Sequence, residues 1–119
     1  MKKFLAMYMG TPPDKGHNEK WSKLSEEEQK AAIEKGMQAW GEWMGKYQDL
    51  ILDAGGPLGK TKNISDGTVE DISNEMTGYI IFNAESHEDA AQMFEDHPHF
   101  AIFPGDSVEV MEIMPMPGQ

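Results

Sequence analysis

The chain has 119 residues, a length that suits one domain, and a formal net charge of −11. No basic face is left to neutralise phosphates, so nucleic acid and anionic membranes are poor partners. Cysteine is absent, which removes disulfides, thiolate metal sites and thiol nucleophiles and fits a cytoplasmic protein, while the 39% of apolar residues suffices for a core.

The opening stretch MKKFLAMYMG carries two lysines and a short apolar run that ends at Gly10 with no small-residue cleavage site after it, so a strand is expected rather than a signal peptide. No apolar run approaches the roughly 20 residues that span a bilayer. GTPPDKGHNEKW, which includes His17, is expected to be a loop. Ser25 with Glu28 three residues later is a capping box, and Glu26 and Glu27 add charge suited to a helix start. The helix is expected to run to about Asp53, where DAGGPLG supplies glycines and a proline to end it. Ile33, Met37, Trp40, Met44, Tyr47 and Ile51 form one narrow stripe along it, with charged residues opposite. Trp43 sits on one flank of the stripe, and Gly41 and Gly45 leave the other flank bare for a close neighbour.

LGKTKNI and TGYIIFNA are expected to be strands forming a hairpin, joined by SDGTVEDISNEM with its Asp66-Gly67 turn signal. Ser86 caps a second helix whose inner face carries Ala90, Met93, Phe94 and His97, and Pro98 is expected to end it. SVEVMEIM alternates and gives a final strand. The order β-α-β-β-α-β predicts an α+β chain, residues 1–119 as a single ferredoxin-like domain, in which two helices cover one face of a four-stranded antiparallel sheet. Both sheet faces are apolar, however. Phe4, Ala6 and Tyr8 alternate with Leu5, Met7 and Met9, and Ile80 and Phe82 with Tyr79 and Ile81. The second face calls for a further layer, and a homodimer packed sheet to sheet about a two-fold axis supplies it most simply.

AWGEWMGKYQDLILDAGGPLG, TGYIIFNAESHEDAAQMFEDHPHF and SVEVMEIMPM, together spanning residues 39–116, resemble the YCII-related family of small dimeric α/β-barrel proteins. The resemblance implies the fold and the dimer. It also implies cofactor-free chemistry, since members of one branch carry a His on the first helix and an Asp just before a Pro at the end of the second, and one branch acts as a dehydrochlorinase on a hydroxylated ring. This chain departs from that pattern: residues 25–53 contain no His, and His97 precedes Pro98 with Asp96 one position earlier.

His97 at a helix C-terminus would be favoured as the imidazolium, with Asp96 adding to that, and would suit an acid or base near neutral pH. The alternative is a C-cap whose ring satisfies the last carbonyls. His99 follows in a loop, either solvated or lining a ligand. His97 and His99 alone are too few for a zinc site, and neither His17 nor His87 stands at a spacing that nominates a third ligand, so no metal is expected. Trp40 reads as core and Trp43 as a flat pocket wall with one N–H donor. Lys62 is a candidate cation for an anionic ring, or a solvated strand lysine. GGPLGKT lacks phosphate-loop spacing, and the ten methionines read as core and dimer filling. Two functions stay open. One is a small cofactor-free lyase, isomerase or dehydrochlorinase-like enzyme on an aromatic or acidic metabolite, with His97 as acid or base, Asp96 tuning it, and Trp43, Lys62 and His99 at the ligand. The other is a non-catalytic dimer that binds a ligand or partner.

Overall fold

The computed structural model describes residues 1–11 and 19–118; His17 and most of the GTPPDKG stretch lie outside the described residues. Strand β1 (Lys2–Met9) is followed by a short helix α1 (Glu19–Ser22), a long helix α2 (Glu26–Lys46), strands β2 (Ile51–Pro57), β3 (Thr61–Ser65), β4 (Thr68–Ile72) and β5 (Met76–Ala84), helices α3 (His87–Gln92) and α4 (Pro98–Ala101), and strand β6 (Ser107–Glu112). Four strands form one sheet in the order β2-β5-β1-β6, every neighbouring pair antiparallel. With the helices packed on one face, this is a ferredoxin-like α+β fold.

The alternation of β1 and β5 decides which face is which. Phe4, Ala6 and Tyr8 on β1 and Ile80, Phe82 and Ala84 on β5 are buried. They join Ala90, Met93 and Phe94 in one core, against which Trp40, Trp43, Met44 and Tyr47 of the α2 end pack. Leu5, Met7, Met9, Tyr79 and Ile81 point the other way and stay only partly covered.

Helix α2 starts as expected, with the Ser25 hydroxyl accepting the Glu28 N–H and the Glu28 carboxylate accepting the Ser25 N–H. It stops earlier than expected, at Lys46 with Tyr47 as C-cap, and Ile51 belongs to β2. The Gly-Pro stretch is therefore not a helix stop but an edge strand, where a proline and an irregular ladder are tolerated. Gly55, at φ 66, passes so close to the Tyr79 carbonyl that a Cβ there would collide with it. Ile33 and Met37 of the stripe stay exposed, and the space beside Gly41 and Gly45 is open. Close packing on α2 occurs instead at Gly36, where the Phe103 ring occupies the place of a side chain.

Two other expectations are corrected. Asp66-Gly67 does turn a hairpin, but it joins β3 to β4 in a separate two-stranded sheet, while Thr77–Ala84 pairs with β1 and β2. Trp21 lies in the short helix α1 and is buried, where a loop was expected.

Candidate functional site

Helix α3 ends at Gln92, and the chain turns back through Asp96 in the left-handed region at φ 56. His97 is then the N-cap of α4, with Pro98 in the first helical position, where its missing N–H costs nothing. The expected geometry is inverted. His97 stands at the start of a helix, and its Nδ1 accepts the backbone N–H of His99 at 3.0 Å. A ring that already faces N–H dipoles gains nothing from a second proton.

Rings from three elements enclose His97. Trp40 meets it edge-on at 4.6 Å between centroids, Trp43 at 4.8 Å, Tyr8 at 5.3 Å, and Phe94 stacks on it at 5.5 Å. Trp40 and Trp43 reach the same ring because three residues along a helix share one face. His97 is 1% exposed. Burial, and then the neighbouring His99, push its pKa down to about 4, so the imidazole is neutral at physiological pH. Since Nδ1 accepts, Nε2 carries the proton, and that buried N–H has no partner among the described residues.

The Tyr8 hydroxyl is in the same position: buried, unpartnered among the described residues, and pushed by burial well above its ordinary range, so it stays protonated. Tyr8 stands where the β1 ladder slips. The β1–β5 register shifts between Tyr8 and Met9, and Thr77 Oγ1 donates to the Tyr8 carbonyl at 2.9 Å. On the β6 side the Met9 carbonyl accepts both the Asp106 N–H at 3.0 Å and His99 Nε2 at 2.8 Å. Burial lowers the basicity of His99, while the Met9 carbonyl, the Asp106 carboxylate and the Ser107 backbone pull it back up. Gly105 is bare because the His99 ring and carbonyl fill the place of its Cβ.

Beside this cluster lies a cavity of about 180 Å³ walled by Tyr8, Trp40 and His99, with Ala54, Gly56 and Pro57 of β2 and Thr77, Gly78 and Tyr79 of β5 completing it. An engineered cavity of about 150 Å³ admits benzene, so this one is the size of a single ring. A wider recess of about 420 Å³ lies between α3 and β6 and shares Phe94 with the cluster.

Of the residues singled out in the sequence, His99 lines the ring-sized cavity, and His97 adjoins it through Trp40 and Tyr8. Trp40, rather than Trp43, is the indole on its wall; Trp43 Nε1 donates to the Met93 carbonyl at 2.7 Å and ties α2 to the end of α3. Asp96 is exposed, and burial and His99, not its carboxylate, shift His97. Lys62 stands on the β3–β4 hairpin, paired with Asp71 at 2.6 Å. His87 Nε2 is engaged with the Val110 carbonyl at 2.8 Å. Among the described residues no group of three or more His, Asp or Glu side chains is placed to hold a metal ion. Tyr8 was legible only as a core strand residue; the signals for the rest were Pro98 directly after a histidine, which marks a helix start, and Gly105 six residues after His99.

No family model matches the chain, and no curated protein matches it either. Among solved structures it is similar to 5-chloro-2-hydroxyhydroquinone dehydrochlorinase from Burkholderia phenoliruptrix in complex with 2,5-dihydroxybenzoquinone, at 17% identity and a TM-score of 0.55, over 94% of this chain and 93% of the other. At that identity the likeness establishes the shared ferredoxin-like fold. Among the described residues no helix is long and apolar enough to cross a membrane.

Proposed function

We propose that this is a YCII-like protein that takes a compact hydroxylated or acidic ring into the Tyr8–Trp40–His99 cavity and acts on it without a cofactor, as a lyase, isomerase or dehydrochlorinase-like enzyme. The observation that carries the reading is a ring-sized cavity lined by His99, a buried histidine whose basicity burial lowers, and by the ring of Tyr8, whose buried hydroxyl has no partner among the described residues. Aromatic walls suit a planar ligand, and a buried O–H without a partner gains a full hydrogen bond when a ring oxygen arrives. The resemblance to a family with a dehydrochlorinase branch and the fold shared with a dehydrochlorinase both favour this chemistry.

His99, rather than His97, is then the base. Neutral His99 donates through Nε2 to Met9 and keeps its other nitrogen unprotonated. That nitrogen takes the proton of a ring hydroxyl as its oxygen becomes a carbonyl, and returns it to the chlorine-bearing carbon, where the displaced ring pair forms a C–H bond. It then takes a second hydroxyl proton as chloride leaves with the C–Cl pair, while Tyr8 donates to a neighbouring ring oxygen. The imidazolium that forms has the Met9 carbonyl and the Asp106 carboxylate in place to stabilise it. His97, locked neutral, positions His99 through the hydrogen bond between them. The protein works as a two-fold dimer joined through the open sheet face, since Leu5, Met7, Met9, Tyr79 and Ile81 call for a cover there.

Chloride release from 5-chloro-2-hydroxyhydroquinone tests the reading. Turnover by the wild type that His99→Gln abolishes while ring binding persists supports it. Binding without turnover across a panel of hydroxylated rings and ring acids leaves a ligand-binding protein, which is what the near-complete burial of His97 would favour.

A further inference from the structure

The β3–β4 hairpin stands apart from the rest of the molecule. Its strands pair with each other and make no extensive contact with another element, and every residue of β4 is exposed. Ile64 faces Val69 across the ladder, and these side chains are 71% and 65% exposed. The next pair on that face, Lys62 and Asp71, closes an ion pair that holds the register. Asn74 Nδ2 donates to Thr61 Oγ1 at 3.2 Å and fastens the base. A two-stranded hairpin is marginally stable alone in water, and a bare aliphatic pair at its far end makes it less soluble without adding contacts. Such an arm is built to be covered.

The shape of the chain points the same way. The radius of gyration is 16.3 Å, against roughly 13.5 Å for a compact chain of this length. The shortest extent of 19 Å leaves room for one sheet and one helix layer, and among the described residues no element covers the far face of the sheet.

We infer that the β3–β4 hairpin is a dimerisation arm, which lays its Ile64–Val69 face against the outer sheet face of a second copy of this chain. The inference rests on the sheet-to-sheet dimer proposed above. A second copy is favoured over a different protein because each copy carries both an open sheet face and an arm to lay on one. Four strands at about 4.8 Å spacing and eight residues at about 3.3 Å rise give the outer face a footprint of roughly 500 Å², short of the ~800 Å² per partner of a standard interface. An arm of two five-residue strands adds roughly 160 Å², which brings the surface to about 660 Å², nearer to that standard. A two-fold axis makes each arm meet the other copy's sheet, so both unpartnered surfaces are covered at once. The charge of −11 on each copy opposes the association, so it strengthens with salt.

The full chain, an Ile64→Lys/Val69→Glu variant that keeps a cross-strand pair, and a variant with residues 61–72 replaced by a short Gly-Ser turn are compared by sedimentation velocity over a range of concentrations and salt. The expected result is a wild-type dimer that tightens with salt and a dissociation constant raised at least tenfold in both variants, with far-ultraviolet circular dichroism outside the hairpin unchanged. Variants that dimerise as tightly as the wild type overturn the arm and leave the sheet dimer standing. A monomeric wild type overturns both. A wild-type dimer dispersed by salt contradicts an apolar arm and sheet contact.

Discussion

The backbone N–H of His99 donates to Nδ1 of His97 across 3.0 Å, so the main chain of one histidine fixes the tautomer of the other. The bond exists only because His97 opens helix α4. It leaves His97 a neutral side chain inside an aromatic cage and directs the ring of His99 to the cavity wall.

That neutrality makes stability depend on pH. The folded-state pKa of His97 is lowered from 6.5 to about 4, so as pH falls the unfolded chain takes up a proton that the native state refuses. Stability present above pH 6.5 is lost as pH falls towards 4, by about 3 kcal/mol for a gap of that size. Burial of His99 acts with the same sign. Urea denaturation at pH 7 and at pH 4.5 should show the loss, and His97→Gln should flatten it. Parallel pH curves for the two proteins would place the titration elsewhere.

Gly105→Ala puts a methyl group into the space of the His99 ring and carbonyl. Overpacking of this kind costs about 1–3 kcal/mol, and the ring must leave the Met9 carbonyl to relieve it. Thermal unfolding should show the loss, together with a disturbed His99 imidazole resonance. An alanine variant with an unshifted His99 signal would contradict the packing described.

Trp43→Phe keeps an aromatic ring on His97 but removes the N–H that reaches the Met93 carbonyl. An expected loss of about 1–2 kcal/mol, typical of a partly buried acceptor left without its donor, should appear in denaturant unfolding with ring binding unchanged. A selective loss of binding would move Trp43 into the site.

Much of the frame can be read from the sequence because it rests on local rules. The alternation of β1 and β5, the capping box at Ser25, the Ser86 cap and the Asp66-Gly67 turn each depend on residues a few positions apart. The end of α2 is hidden in the sequence because Ile51 continues the helical spacing by coincidence, and glycine and proline, which break helices, are equally at home in an edge strand. The place of His97 is ambiguous in the sequence, because Pro98 after it marks a first helical turn as readily as the end of the preceding helix. The cavity was out of reach for a different reason. Tyr8, Trp40, Tyr79 and His99 come from four separate segments, and their meeting depends on the sheet order. No sequence spacing encodes that order.

The Tyr8 hydroxyl offers the most direct test. It is 5% exposed as a residue, and its oxygen has no partner among the described residues. A group buried in that way is a burden to the folded chain unless it serves a ligand. The measurement is calorimetric titration of 2,5-dihydroxybenzoquinone into the wild type and Tyr8→Phe, with thermal unfolding of both. One ring bound per chain, at least tenfold weaker binding in the variant and an unfolding temperature unchanged or raised are the predicted results. Equal affinity in the two proteins, or no binding to the wild type alongside a variant that is merely less stable, would contradict the assignment of this cavity as the site.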